Sequence, residues 1–186
     1  MNNRNSALYK MVVTALLLAI GLALPFLLGQ VEVLGQAISP LHIPALLCGL
    51  TCGWGWGLTL GAVLPILRSL LFGMPPMVAA IPMAFELAAY GALTGLIYPL
   101  LLKLFKNRSH LPAMVISMLA AMILGRIAGG AAKACIMGFQ GNSYTFSTFI
   151  AAYFTGTAVG AVIHLIIVPA VALALEKAKL SPNSQA

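Results

Sequence analysis

The sequence predicts an all-α integral membrane protein with six transmembrane helices and both termini in the cytoplasm. Three observations carry that prediction. Hydrophobic residues make up 61% of the 186 and charged residues 7%, at a mean hydropathy of +1.03. Soluble domains average about 45–50% and about 25%. The apolar residues gather into six stretches punctuated by Gly and Pro. The Lys and Arg residues outside those stretches form three clusters that a six-span path brings to one side of the bilayer.

The first ten residues, 1–10, read as a cytoplasmic tail carrying Arg4 and Lys10. Span 1 covers about residues 11–28. It is too long for a signal-peptide core, and no small-x-small cleavage site follows, so it reads as a retained helix. Span 2 opens after Ser39-Pro40 and covers about residues 41–52, extending only if 53–57 stay helical. Span 3 covers about 56–72 and ends at Gly73-Met74-Pro75-Pro76; Trp54 and Trp56 at its start read as interfacial anchors. Span 4 covers about 78–102 and span 5 about 111–137. Span 6, about 145–175, exceeds what a bilayer needs, so it tilts, starts outside the hydrocarbon or breaks near Pro169. Residues 11–176 thus form one membrane domain, followed by a tail at 177–186.

Orientation follows from charge. Arg4 and Lys10 precede span 1, Lys103, Lys106 and Arg108 separate spans 4 and 5, and Lys177 and Lys179 follow span 6. Segments 29–40, 73–77 and 138–144 contain no Lys or Arg, so they face outward. They hold turn residues (Gly29, Gly35, Pro75, Gly141) and uncharged hydrogen-bonding groups (Gln30, Gln36, Gln140, Asn142, Ser143), a chemistry suited to a lid over an outward pocket. The net charge of +7 would suit nucleic acid in a soluble protein; here the surface cations merely flank apolar helices, which excludes that partner.

Four charges lie inside the apolar stretches: Arg68, Glu86, Arg126 and Lys133. A charge at membrane depth costs about 2.5–3.5 kcal/mol on insertion scales, so such residues face a protein interior or a polar cavity and carry function. Helical rise places all four in the outer half to the middle of the membrane, converging on one outward-facing cavity between spans 3, 4 and 5. Arg126 and Lys133 are seven apart and share a face. Glu86 alternatively locks helices by pairing with Arg68 or Arg126, and Lys133 alternatively snorkels to headgroups. One carboxylate still cannot neutralise three cations, which points to an anionic guest or to water in a cavity. Tyr90 lies one turn from Glu86 on the same face. His42, between Pro40 and Pro44, and His164 in span 6 each read as a packing residue or a hydrogen-bonding ligand residue, with His42 the better ligand candidate because it lies at the outer end.

Other chemistry is excluded or weak. Cys48, Cys52 and Cys135 cannot all pair. Cys48 and Cys52 lack a second Cys/His pair to complete a metal site and read as packing residues, so no metal is expected. No H-E-x-x-H and no G-x-S-x-G argue for an enzyme, no G-x-x-x-x-G-K-[ST] binds ATP, and no cofactor is implied. A self-sufficient carrier remains the main rival, although no internal duplication relates 1–95 to 96–186. Ala15, Ala19 and Ala23 form a small-residue stripe on span 1 that lets another helix approach closely, whether from this chain or a partner.

Three pieces of sequence together resemble the substrate-binding (S) components of energy-coupling factor (ECF) vitamin transporters. They are Ala15-x3-Ala19-x3-Ala23, the run Ser-Pro-Leu-His-Ile-Pro-Ala-Leu-Leu-Cys-Gly from Ser39 to Gly49 with the Gly-rich stretch 53–61, and Gly73-Met-Pro-Pro76 with Met83-Ala-Phe-Glu-Leu-Ala-Ala-Tyr-Gly91. The resemblance implies a six-helix subunit in a prokaryotic plasma membrane that binds a micronutrient in an outward pocket. It implies docking through the Ala15/Ala19/Ala23 stripe on a transmembrane coupling subunit carrying two ATPase subunits, so ATP hydrolysis lies in the partners and not in this chain. The segments around His42 and Glu86 resemble the pantothenate type. A carboxylate held by Arg126, Lys133 or Arg68, with Gln140 or Asn142 nearby, suits that small vitamin. Folate, cobalamin and queuosine precursors remain alternatives.

Overall fold

A computed structural model describes residues 3–28, 39–105, 110–141 and 143–178. Most of segment 29–40, together with Lys106, Arg108, Asn142 and Lys179, lies outside the described residues. The described chain is all helical: α1 (Asn3–Leu28), α2 (His42–Cys52), α3 (Trp54–Phe72), α4 (Met77–Leu104), α5 (His110–Phe139), α6 (Phe146–Ile150), a π-helical turn (Ala151–Thr155) and α7 (Ala158–Lys177). Five stretches are long and apolar enough to cross a membrane, namely Ser6–Leu27, α3, α4, α5 and the composite Phe146–Lys177. Their outer faces carry Leu16, Ile20, Leu70, Phe85, Ile123, Ile127, Val162 and Ile166, all exposed. A belt of that kind has its counterpart in lipid rather than water.

The sixth apolar helix is the short one. α2 has 11 residues, about 16 Å of rise against about 30 Å of hydrocarbon. It needs no lipid-matching length because it is the axis of the bundle. All of it but Ile43 is buried, and α1, α3, α4 and α7 pack around it. A helix apolar on every side belongs in such a core. It does not extend through 53–57: Gly53 has φ 97°, a left-handed geometry that suits glycine, and the chain reverses there directly into α3.

Close approach of α3 and α4 rests on Gly57 and Gly91. A Cβ on Gly91 would overlap the Gly57 carbonyl, and one on Gly57 would overlap Gly91. Small residues at a crossing let two membrane helices gain backbone contact. Leu46, Leu60, Leu64, Leu87, Met114, Met118 and Val168 fill the space around this junction. Cys48 and Cys52 are buried in α2 as packing residues; the Thr14 hydroxyl lies 3.5 Å from Cys48 Sγ.

The last span differs from expectation. Pro169 lies within α7 without a break. The interruption is upstream, at the π turn and Gly156-Thr157, where Thr157 leaves helical geometry at φ −117°, ψ 9°. Irregular backbone at membrane depth is tolerated where it lines protein or a cavity, and this one does.

The end of the bundle opposite the break is stitched by polar side chains. Tyr98 donates its hydroxyl to Glu176 Oε1 at 3.1 Å, and His110 Nδ1 lies 3.1 Å from the same hydroxyl. With its only proton on Glu176, that hydroxyl accepts from His110. His110 and Glu176 also approach to 3.4 Å. This triad joins α4, α5 and α7.

Candidate functional site

The start of α2, the first half of α4, the second half of α5 and the broken last span enclose a cavity of about 180 Å³. Its polar lining is Ser39, His42, Glu86, Arg126, Lys133, Tyr153, Thr157 and His164.

His42 is aimed by an unusual backbone. Ser39 has φ 46°, uncommon for a residue with a side chain and typical of constrained functional positions. Its carbonyl accepts from the His42 amide at 3.1 Å and from His42 Nδ1 at 2.9 Å. Because a carbonyl only accepts, Nδ1 carries the proton there, and Nε2 faces Glu86 Oε1 at 3.5 Å. The His42 ring stacks on His164 at 5.5 Å between centroids and meets Tyr90 at 5.3 Å.

Glu86 and Arg126 are joined indirectly. Tyr90, fully buried, donates its hydroxyl to Glu86 Oε1 at 2.7 Å, and Arg126 Nε donates to that hydroxyl at 3.3 Å. The Arg126 guanidinium lies over Phe154 at 5.5 Å. Lys133 Nζ sits 5.9 Å from the ring centres of both Tyr144 and Tyr153. Among the described residues, neither the terminal nitrogens of Arg126 nor the Lys133 ammonium has a hydrogen-bond or ion-pair partner. Both contacts of Glu86 fall on Oε1, leaving Oε2 open.

Five of the residues singled out from sequence therefore gather here: His42, Glu86, Arg126 and Lys133 line the cavity, and Tyr90 backs it. Arg68 stands apart. Its Nη1 donates to the Leu22 carbonyl at 2.6 Å, and its guanidinium packs on Phe26 and Phe72 at 4.8 and 5.5 Å. That backbone acceptor and the two rings satisfy its charge between α1 and α3, so it does not reach the cavity. Gln140 is exposed in the turn after α5, away from the lining, and Asn142 lies outside the described residues. Ala15, Ala19 and Ala23 are all exposed on α1, whose opposite face buries Leu17 and Gly21.

Ser39, Tyr153 and Thr157 complete the lining without having been chosen from sequence, together with His164, the weaker of the two histidine candidates. The last-span members had a signal. Tyr153, Thr157, Gly160 and His164 recur at 4, 3 and 4 residues, the spacing of one helix face. The π turn keeps them on it, with Thr157 Oγ1 donating to the Tyr153 carbonyl at 2.7 Å; such turns often mark functional sites. Among the described residues, no group of three or more His, Cys, Asp or Glu could hold a metal ion.

The site is a small cavity with two cations, one carboxylate, two imidazoles and several hydroxyls. It can bind a compact anion bearing hydrogen-bonding groups. The comparisons agree with a binding role. A family model described as ECF transporter, substrate-specific component, matches residues 9–176. No curated protein and no solved structure matches the chain. Members of that family are membrane-embedded, non-catalytic subunits that bind a small-molecule substrate and work with the other subunits of an ECF transporter. With its apolar spans and a match over nearly its whole length, this multi-pass membrane protein belongs to the substrate-specific component family of ECF transporters.

Proposed function

We propose that this chain captures a small carboxylate vitamin or precursor, with pantothenate the best fit, and hands it inward. The observation that carries the reading is the pair of cations, Arg126 and Lys133, with unfilled donors in a cavity of about 180 Å³. A cation buried without a counter-charge is costly; an anionic ligand supplies one. The carboxylate meets Arg126 and Lys133 through charge-assisted hydrogen bonds. Glu86, His42, Ser39 and Thr157 read hydroxyl and amide groups. Pantothenate offers one carboxylate, one amide and two hydroxyls.

The rest of the proposal concerns delivery. The basic clusters favour six spans with both termini in the cytoplasm of a prokaryotic cell, α2 serving as the second span. The cavity then opens outward, beneath segments 29–40, 73–77 and 138–144. The exposed stripe of Ala15, Ala19 and Ala23 is the docking face for a transmembrane coupling subunit bearing two ATPase subunits.

Calorimetric titration of the purified protein tests the substrate. Pantothenate is expected to bind at one per chain, with folate, cobalamin and the queuosine base silent. Heat from one of those three instead would reassign the substrate within the family. Uptake by the chain alone, with no ATPase partner, would favour the self-sufficient carrier.

A further inference from the structure

We propose that Tyr90 is a positioning residue: its hydroxyl is a spacer that keeps Glu86 and Arg126 from closing into an ion pair, so that each remains available to a ligand with opposite ends. The inference rests on the binding role proposed above and extends it to how the ligand is oriented.

The geometry is specific. A single hydroxyl stands between the two charged groups, donating to Glu86 Oε1 and accepting from Arg126 Nε. Among the described residues the contacts within 4 Å between a carboxylate and a basic side chain are His42–Glu86 and His110–Glu176, so Glu86 and Arg126 do not approach within 4 Å. A hydroxyl suits this place because it donates and accepts at once. It gives each charge one hydrogen bond and neutralises neither.

Without the hydroxyl the same two groups would attract strongly, since a direct pair inside a protein is screened far less than in water. A ligand would then have to break that pair before using either member. With the hydroxyl in place, Glu86 keeps Oε2 and Arg126 keeps its terminal nitrogens.

Tyr90 is held rigidly in this role. It is 0% exposed and lies one turn after Glu86 on the same face of α4. Its ring occupies the room left by Gly125, where a Cβ would overlap Cδ1 and Cε1. The α4–α5 crossing is therefore built around the ring. Phenylalanine keeps that ring, so Tyr90→Phe removes the spacer without opening the crossing.

The arrangement fixes the ligand's polarity. The donor-bearing end lies toward Glu86 and His42, and the anionic end toward Arg126 and Lys133. A ligand with only one of these ends fills half the site.

Two probes test this: pantothenate, and pantothenol, in which an uncharged alcohol replaces the carboxylate. By calorimetry the unmodified protein is expected to prefer pantothenate by about 30-fold or more, as loss of a charge-assisted contact implies. In Y90F, Glu86 claims Arg126, and the preference is expected to fall below about 5-fold. Adding Glu86→Gln to Y90F frees Arg126 and is expected to restore it. A Y90F variant that weakens both probes equally, or neither, overturns the proposal, because a packing role changes affinity without changing the ratio.

A ligand-free arm separates this proposal from the choice of vitamin. An experimental structure of Y90F is expected to show Glu86 and Arg126 within 4 Å; the two still apart overturns the spacer. If the unmodified protein binds neither probe, the vitamin is wrong and the structure of Y90F alone decides the role of Tyr90.

Discussion

Gly129 of α5 faces Glu86 of α4 so closely that a Cβ on Gly129 would lie 2.8 Å from the Cβ of Glu86. The same Cβ would be 3.2 Å from the Tyr153 ring and 3.3 Å from the Pro82 carbonyl. This contact lies between Arg126 and Lys133 on the α5 face, so it sets the distance at which the cations meet the carboxylate. Gly129→Ala must push Glu86 or α5 aside, an overpacking cost of about 1–3 kcal/mol. Titration of that variant with pantothenate is expected to show affinity reduced by about tenfold or more.

Arg126 is expected to carry more of the ligand than Lys133, being fixed by Tyr90 and Phe154. Arg126→Met removes a charged hydrogen-bond donor worth about 1.5–3 kcal/mol, or about 10–150-fold in affinity. Lys133→Met, whose long chain is held among the described residues by ring contacts, is expected to lose less than about tenfold. Titrations of the two variants side by side check the order.

Arg68 anchors α1 and does not line the cavity. Arg68→Leu strands the Leu22 carbonyl interaction and the packing on Phe26 and Phe72. Thermal unfolding in detergent is expected to fall by about 2–10 °C, matching about 1–3 kcal/mol. Pantothenate affinity of the folded protein is expected to stay within about twofold, and a larger loss would return Arg68 to the site.

Ala15→Trp and Ala19→Trp place bulk on the exposed face of α1. Substrate binding by the purified chain is expected to survive. Co-purification with the coupling and ATPase subunits, and uptake by cells, are expected to be lost. Parallel loss of binding would show that the stripe serves this chain's own packing.

Tyr98→Phe cuts both hydrogen bonds of the triad at the far end of the bundle. At about 1 kcal/mol each and partly exposed, their loss is expected to lower stability by about 1–2 kcal/mol. Binding at the distant cavity is expected to be unchanged in the same titration.

Much of this was legible in the sequence because a bilayer punishes exceptions. Apolar runs announce helices, and Glu86, Arg126 and Lys133 stand out where water is absent. Tyr90 and His42 followed from helix spacing and from position at a helix start. The fate of Arg68 was not legible, since its partner is a backbone carbonyl 46 residues away and carries no sequence mark. Nor was the break at Gly156-Thr157 visible behind the stronger signal of Pro169. That proline is buried within the bundle, whereas Ala152 and Tyr153 of the π turn line the cavity. The positive φ of Ser39 likewise carries no sequence mark, since serine is not a residue that favours it. The shortness of α2 was visible, but its burial on nearly every side was not.

The most direct test of the central claim is the small molecule the protein carries. The purified chain would be denatured and the released compound identified by mass spectrometry, with the Arg126→Met variant treated in parallel. One pantothenate, or another compact carboxylate vitamin, per chain of the unmodified protein and little from the variant is the expected result. An uncharged compound, equal loading of both proteins, or an empty protein that gives no heat with any vitamin offered would contradict the claim that Arg126 and Lys133 hold an anionic substrate.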